Sequence, residues 1–393
     1  MYFNFKKSTG ILLLVTTLFV TSCKEDVVDA DPISSRFGEY VDIPNHVPFS
    51  HAAYNFIATD NGLYFGMSTI DDDKDVESVY RYTLVQSDIL KGKWISYKHD
   101  SYFDYFMPLN KKSELHGNQE VMIYPSATPG KIPVFKIVNM LSGKVIQEIE
   151  APWHEFLDPS GGKYRNYGEI IKDGKGAEWA LFQSEYMTDD KNVHIIKRKV
   201  GNSYDQVSRI VAKGELLYAA SNNEGLYAIS PTERKLFVIN PESGHTTYDL
   251  SEYYDAQWDL YSYKIKFRFS NNATFFQYQN KVLKLNEGNK TLSLFYTIKA
   301  VWGGAQAGDF CVDNDYLFAT DGTRKELNGF HKEVNIIPPP PKTTNQEIFM
   351  EHMDRTTVFQ AGELETSTNP DDKYIYVLDG VKGRILVVSK HYI

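Results

Sequence analysis

The 393-residue chain is poor in cysteine: it has two, Cys23 and Cys311, far apart, so no disulfide framework can hold it together. The strings that mark common catalytic sites are missing. There is no Gly-x-Ser-x-Gly, His-Glu-x-x-His, Cys-x-x-Cys, Walker-type Gly-Lys-Ser/Thr, Gly-x-Gly-x-x-Gly or Ser-x-Asp-x-Gly-x-x-Trp. Basic charge is also short, with 42 Lys plus Arg against 51 Asp plus Glu and a net charge of −9. Such a surface repels phosphate backbones, so nucleic acid is not an expected partner. No amphipathic helical pattern longer than about ten residues occurs, which argues against α/β folds. What the chain does have is aromatic residues: 27 Tyr, 23 Phe and 5 Trp, 14% of the total. Rings of this kind suit half-buried pleated surfaces, and the excess points to sheet.

The first residues speak to location. Lys6 and Lys7 precede an apolar run, Ile11 to Val20, of about ten residues, half of what a membrane-spanning helix needs. The run ends in Val20-Thr21-Ser22-Cys23, followed by Lys24-Glu25-Asp26. The first string resembles the bacterial lipobox, and the second resembles the export signal of surface-exposed Bacteroidetes lipoproteins. The resemblance implies that residues 1–22 are a lipoprotein signal peptide and that Cys23 carries the lipid. It further implies an outer-membrane protein facing outward, with the periplasmic face as the alternative. Each buried methylene of an acyl chain contributes about 0.8 kcal/mol, so several chains together hold a protein to a membrane. Cys311, in Asp309-Phe310-Cys311-Val312, is then a lone thiol and reads as a small buried hydrophobe on a strand.

Residues 23–45 read as a lipidated tether rich in Asp, Pro and Ser, and residues 46–393 as one repetitive domain. Runs of five to eight apolar or alternating residues recur between Gly, Asn, Asp and Pro clusters. Ala53 to Ala58 leads through Asp60-Asn61-Gly62 into Leu63 to Met67, a hairpin signal. Four later units repeat the strand, Gly-bearing turn, strand order: 134–149, 236–250, 281–297 and 374–388. The Leu236 to Asn240 and Tyr374 to Asp379 units are similar to the repeats of YVTN-like and NHL-like β-propellers. An all-β propeller is therefore expected. At about 45–50 residues per blade the domain accommodates seven blades, and six or eight also fit. Arg384 to Val388 is expected to pair with the first ordered segment and close the ring. Two tandem β-sandwiches are the second architecture. Two stretches break the rhythm: 153–167, and 332–352 with its Pro338 to Pro341 run.

Candidate chemistry is sparse. Asp71, Asp73 and Asp75 alternate as calcium ligands can, but Val76 and Tyr82 stand where an EF-hand needs Gly and Glu, so a solvated turn is the simpler reading. The ten histidines include no pair with metal-ligand spacing on a recognisable element, and neither metal nor cofactor is expected. Three aromatic stretches stand out. They are Trp153 with Tyr164 and Arg165, the run 253–261 with Trp258, and 300–306 with Trp302. Flat rings beside amides and carboxylates suit sugar faces or aromatic chelators, and Arg165 suits an anionic group. The expected ligand-binding set is Trp153, Tyr164, Arg165, Trp258 and Trp302, although rings also fill gaps between blades. By analogy with Bacteroidetes surface lipoproteins, the expected role is non-catalytic capture of a glycan, peptide or iron chelate for a TonB-dependent transporter. The alternatives are a protein-binding subunit of an outer-membrane complex and a propeller hydrolase or lyase.

Overall fold

The computed structural model describes residues 39–47, 51–60, 62–69, 77–85, 91–99, 103–108, 120–125, 134–150, 167–183, 191–257, 266–270, 273–286, 288–299, 308–327, 334–335, 362–367, 371–380 and 382–390. They form seven four-stranded antiparallel sheets, and no α-helix occurs among the described residues. Sheets 1 to 6 span 51–98, 103–150, 167–213, 217–249, 267–297 and 310–335, each a meander of consecutive strands. Sheet 7 takes three strands from 363–389 and its fourth, outermost strand from Glu39–Asp42. First strands of neighbouring sheets touch one another, as those of sheets 5, 6, 7 and 1 do in turn, so they line the axis of a ring. This is the seven-bladed propeller that the repeat length predicts.

Burial falls from the second strand outward, and the sequence pattern follows it. Leu226–Ser230, the second strand of sheet 4, is buried at every position, while the outer strand Gly244–Asp249 buries only Tyr248. A strand covered on both faces reads as a continuous apolar run, and an edge strand alternates. The core lies between sheets rather than within one. Tyr227, Phe267, Phe276 and Leu283 join sheets 4 and 5; Cys311, Phe318, Ile375 and Val377 join sheets 6 and 7. Phe65, Tyr82, Tyr376 and Val387 join sheets 7 and 1. The aromatic excess fills these seams: Tyr227 and Phe267 stack with centroids 4.6 Å apart, and Trp179 is fully buried.

Ring closure shifts one expected boundary. Glu39 pairs with Val387 and Asp42 with Arg384, so the segment read as the end of the tether contributes the closing strand. The final strand does pair with the first ordered segment, as expected. Gly383 shows why its turn needs glycine: its φ is +68°, and a Cβ there would lie 2.1 Å from the His46 ring. Val334–Asn335, inside a stretch that breaks the repeat rhythm, is the fourth strand of sheet 6. The acidic tip 71–75 lies outside the described residues.

Candidate functional site

A four-stranded meander ends on the side where it began. Every link from one sheet to the next therefore leaves from and arrives at a single face, here termed the connection face. Turns between first and second strands, and between third and fourth, lie on the opposite, turn face. Contacts between sheets agree with this parity. Asp321 Oδ2 accepts from Lys299 N at 2.8 Å, and Glu233 Oε1 from Lys213 N at 2.9 Å, each joining a link to a second-to-third-strand turn. On the turn face, Gly174 N donates to Ser221 O at 2.7 Å, joining the first turns of neighbouring sheets 3 and 4.

On the connection face, sheets 4 and 5 carry a rigid polar patch. Asp255 N donates to Gln279 Oε1 at 2.8 Å, and Gln279 Nε2 returns a bond to Asp255 O at 3.0 Å. Lys281 Nζ donates to Tyr253 O at 2.6 Å. The Arg234 guanidinium lies 3.7 Å from the centroid of the Tyr254 ring. Arg234 and Gln279 both hold left-handed backbone, at φ 56°, on adjacent turns. Non-glycine residues in that region cost about 1 kcal/mol or more and persist only where the surroundings impose them.

At the connection-face end of the inner strands of sheets 5, 6 and 7 sits a charged cluster. Lys266 Nζ is 2.8 Å from Asp309 Oδ2 and 3.1 Å from Glu365 Oε1, and it also donates to Leu364 O. Asp309 Oδ2 accepts from Leu364 N at 2.8 Å, and Asp309 Oδ1 from Phe310 N at 2.8 Å. Arg268 pairs with Glu365 and donates Nη1 to Phe267 O at 2.7 Å. Burial pushes the Glu365 carboxyl up, against the pull of Arg268 and then Lys266. Burial likewise raises the nearby Cys311 thiol well above its ordinary value, which makes it inert. Arg268 Nε and Gln277 Oε1 are buried with no hydrogen-bond partner among the described residues.

The five residues expected to bind ligand, Trp153, Tyr164, Arg165, Trp258 and Trp302, lie outside the described residues, as does Cys23. The strands that bracket them are described. Lys144–Glu150 and Tyr167–Lys172 bracket the first stretch, Gly244–Asp249 and Phe267–Ser270 the second, and Thr291–Thr297 and Phe310–Val312 the third. Each pair is an outer strand followed by the next inner strand, so all three sets of flanks meet the connection face. The charged cluster escaped the sequence reading. Its only trace there is the alternation of charge with apolar residues in Lys266-Phe267-Arg268-Phe269 and Glu363-Leu364-Glu365. Among the described residues no group of three or more His, Cys, Asp or Glu side chains is placed to hold a metal ion.

No protein-family model matches the chain, and no curated protein matches it. Solved structures do. The extracellular domain of a protein described as a hybrid two component system from B. thetaiotaomicron aligns at 12% identity and TM-score 0.48, over 90% of this chain and 43% of that one. A streptogramin B lyase aligns at 11% identity and TM-score 0.45, over 90% and 98%. Apo AztD from Citrobacter koseri aligns at 13% identity and TM-score 0.40, over 85% and 82%.

Proposed function

We propose that this protein is a lipid-anchored binding module of the outer-membrane surface. In this reading acyl chains on Cys23 hold it to the membrane, and the connection face captures a glycan fragment, peptide or iron chelate for a TonB-dependent transporter. Capture is non-covalent: rings at Trp153, Tyr164, Trp258 and Trp302 supply apolar area, while Arg165 and neighbouring amides fix orientation. The observation that carries the reading is the common face on which the flanks of all three aromatic stretches meet. The Asp255–Gln279 clamp supports it further, because it anchors the chain three residues before Trp258 and so limits the ordering that binding must still impose.

The test is a ligand screen by calorimetry with Trp153→Ala and Trp258→Ala. Loss of one stacked ring is expected to weaken binding by about tenfold, roughly 1.4 kcal/mol. Unchanged affinity in both variants would remove this site. For the anchor, Cys23→Ala should release the protein from membranes, and continued attachment would refute lipidation there.

A further inference from the structure

The strand that closes the ring also fixes the side from which the tether leaves. Glu39–Asp42 is an outer strand, and the link that follows it runs to the first strand of sheet 1 along the connection face, where His46 Nε2 lies 3.1 Å from Gly380 O. Asp42 is therefore at the connection face, and Glu39, where the chain enters, is at the turn face. Glu39 lies sixteen positions after Cys23, with fifteen residues between them. A flexible chain of that length has an end-to-end distance of about 20–24 Å. The radius of gyration of a body of about 350 residues is similar, about 20 Å. A tether whose typical reach matches the body's radius biases the face it leaves toward its anchor, and the surface of that face has to supply the rest.

The turn face has surface suited to a bilayer. Leu141 is 57% exposed in the third turn of sheet 2, with Val145 and Ile146, the latter 51% exposed, at the start of the strand that follows. Val200, 48% exposed, ends the third strand of the next sheet at the same face. Exposed Lys144 adjoins Val145, and exposed Lys175, 3.7 Å from Glu224, lies in the first turn of sheet 3 on the same face, although the chain as a whole is acidic. Apolar side chains with lysines beside them are what an anionic lipid surface accepts.

We infer that the propeller sits on the membrane with its turn face down, the rims of sheets 2 and 3 touching the lipid headgroups and the connection face pointing away. The inference rests on the anchor proposed at Cys23. It gives the captured ligand an approach from the medium, and it leaves the binding face free to meet a transporter's outer loops.

The lipidated full-length chain, reconstituted in phosphatidylethanolamine–phosphatidylglycerol vesicles, provides the test. Leu141→Cys and Lys299→Cys variants are labelled with an environment-sensitive dye; Cys311 is buried and stays unlabelled. Nitroxide lipids should quench the dye at 141 severalfold more than at 299, which is on the connection face. Equal or reversed quenching on vesicle-bound protein would overturn the orientation while leaving the anchor intact. Failure of the unmodified chain to float with the vesicles would instead overturn the anchor, and the orientation with it.

Discussion

The two faces of the ring use carboxylates differently. On the turn face, aspartates mostly close their own turns. Asp313 Oδ1 accepts from Asp315 N and Tyr316 N, and Asp372 accepts from Tyr374 N and the Tyr376 hydroxyl, all at 3.0 Å or less. Asp173 does the same with Lys175 N and Ala177 N, then adds the Trp179 indole at 2.8 Å and Gly225 N of sheet 4 at 3.0 Å. On the connection face Asp249 and Asp379 also cap locally, while other acidic groups reach across sheets. Asp309 and Glu365 tie Lys266 and Arg268 into one cluster spanning sheets 5 to 7, and Asp321 holds Tyr296 and Lys299 of the sheet before it. Local capping prevails on the first face, where cross-sheet ties are fewer: Glu224 of sheet 4 meets Arg198 of sheet 3, and Asp313 of sheet 6 meets Lys390 of sheet 7. Cross-sheet bonding makes the other a connected frame, the kind of support that long inserted segments need if they are to present a fixed site.

Two substitutions test this contrast most strongly. Glu365→Ala leaves Arg268 without its carboxylate and Lys266 with only Asp309, in a buried setting. Breaking a buried pair costs about 3–5 kcal/mol, so a large fall in the denaturant midpoint is expected. Asp173→Ala strands the Trp179 indole and Gly225 N–H groups and is expected to cost about 3 kcal/mol. The comparison lies in the second readout. At matched stability, ligand affinity should drop for Glu365→Ala and stay unchanged for Asp173→Ala. Equal effects on affinity would mean that the faces are not functionally distinct.

Protonation offers a finer probe. His194 is buried near the connection face, with Nε2 3.3 Å from Gly214 O and Nδ1 3.3 Å from the Tyr218 hydroxyl. Burial lowers its pKa from 6.5 to about 4. The folded form therefore keeps the ring neutral where the unfolded chain takes up a proton. Stability from this source is complete above pH 6.5 and is lost as pH falls toward 4, with about 2 kcal/mol gone by pH 5. His194→Gln should flatten the profile between pH 6.5 and 5 in urea unfolding. A variant that keeps the wild-type slope would show that other groups set it.

Much of the fold was legible in the sequence, because each seam is built from strands that carry their own pattern. Tyr374 to Asp379 and Leu236 to Asn240 are apolar runs closed by glycine turns, and they fold as such. What escaped notice lacked local information. Glu39–Asp42 is four residues whose partner strand lies at the far end of the chain, and Val334–Asn335 is two residues long. The charged cluster is a matter of register between sheets: Lys266 meets Asp309 43 positions away and Leu364 98 away. No window of the sequence contains both ends of such a contact. The aromatic stretches were visible as composition, and only strand parity adds that their flanks share a face.

The smallest expected effect concerns Arg234, whose left-handed backbone and ring stacking oppose each other energetically. Replacing it with alanine keeps a Cβ at φ 56° and removes the guanidinium from Tyr254, so a loss of about 1 kcal/mol is expected. Glycine removes both the stacking and the backbone cost of about 1 kcal/mol, so Arg234→Gly should leave the melting temperature almost unchanged. The two variants share the lost contact and differ in the strain. If Arg234 serves only to stabilise its turn, Arg234→Gly will bind ligand as the wild type does. If it holds Tyr254 and the chain leading to Trp258 in place, affinity will fall equally in both variants while stability falls in only one. That split between calorimetric affinity and melting temperature separates a strained turn kept for packing from one kept for recognition.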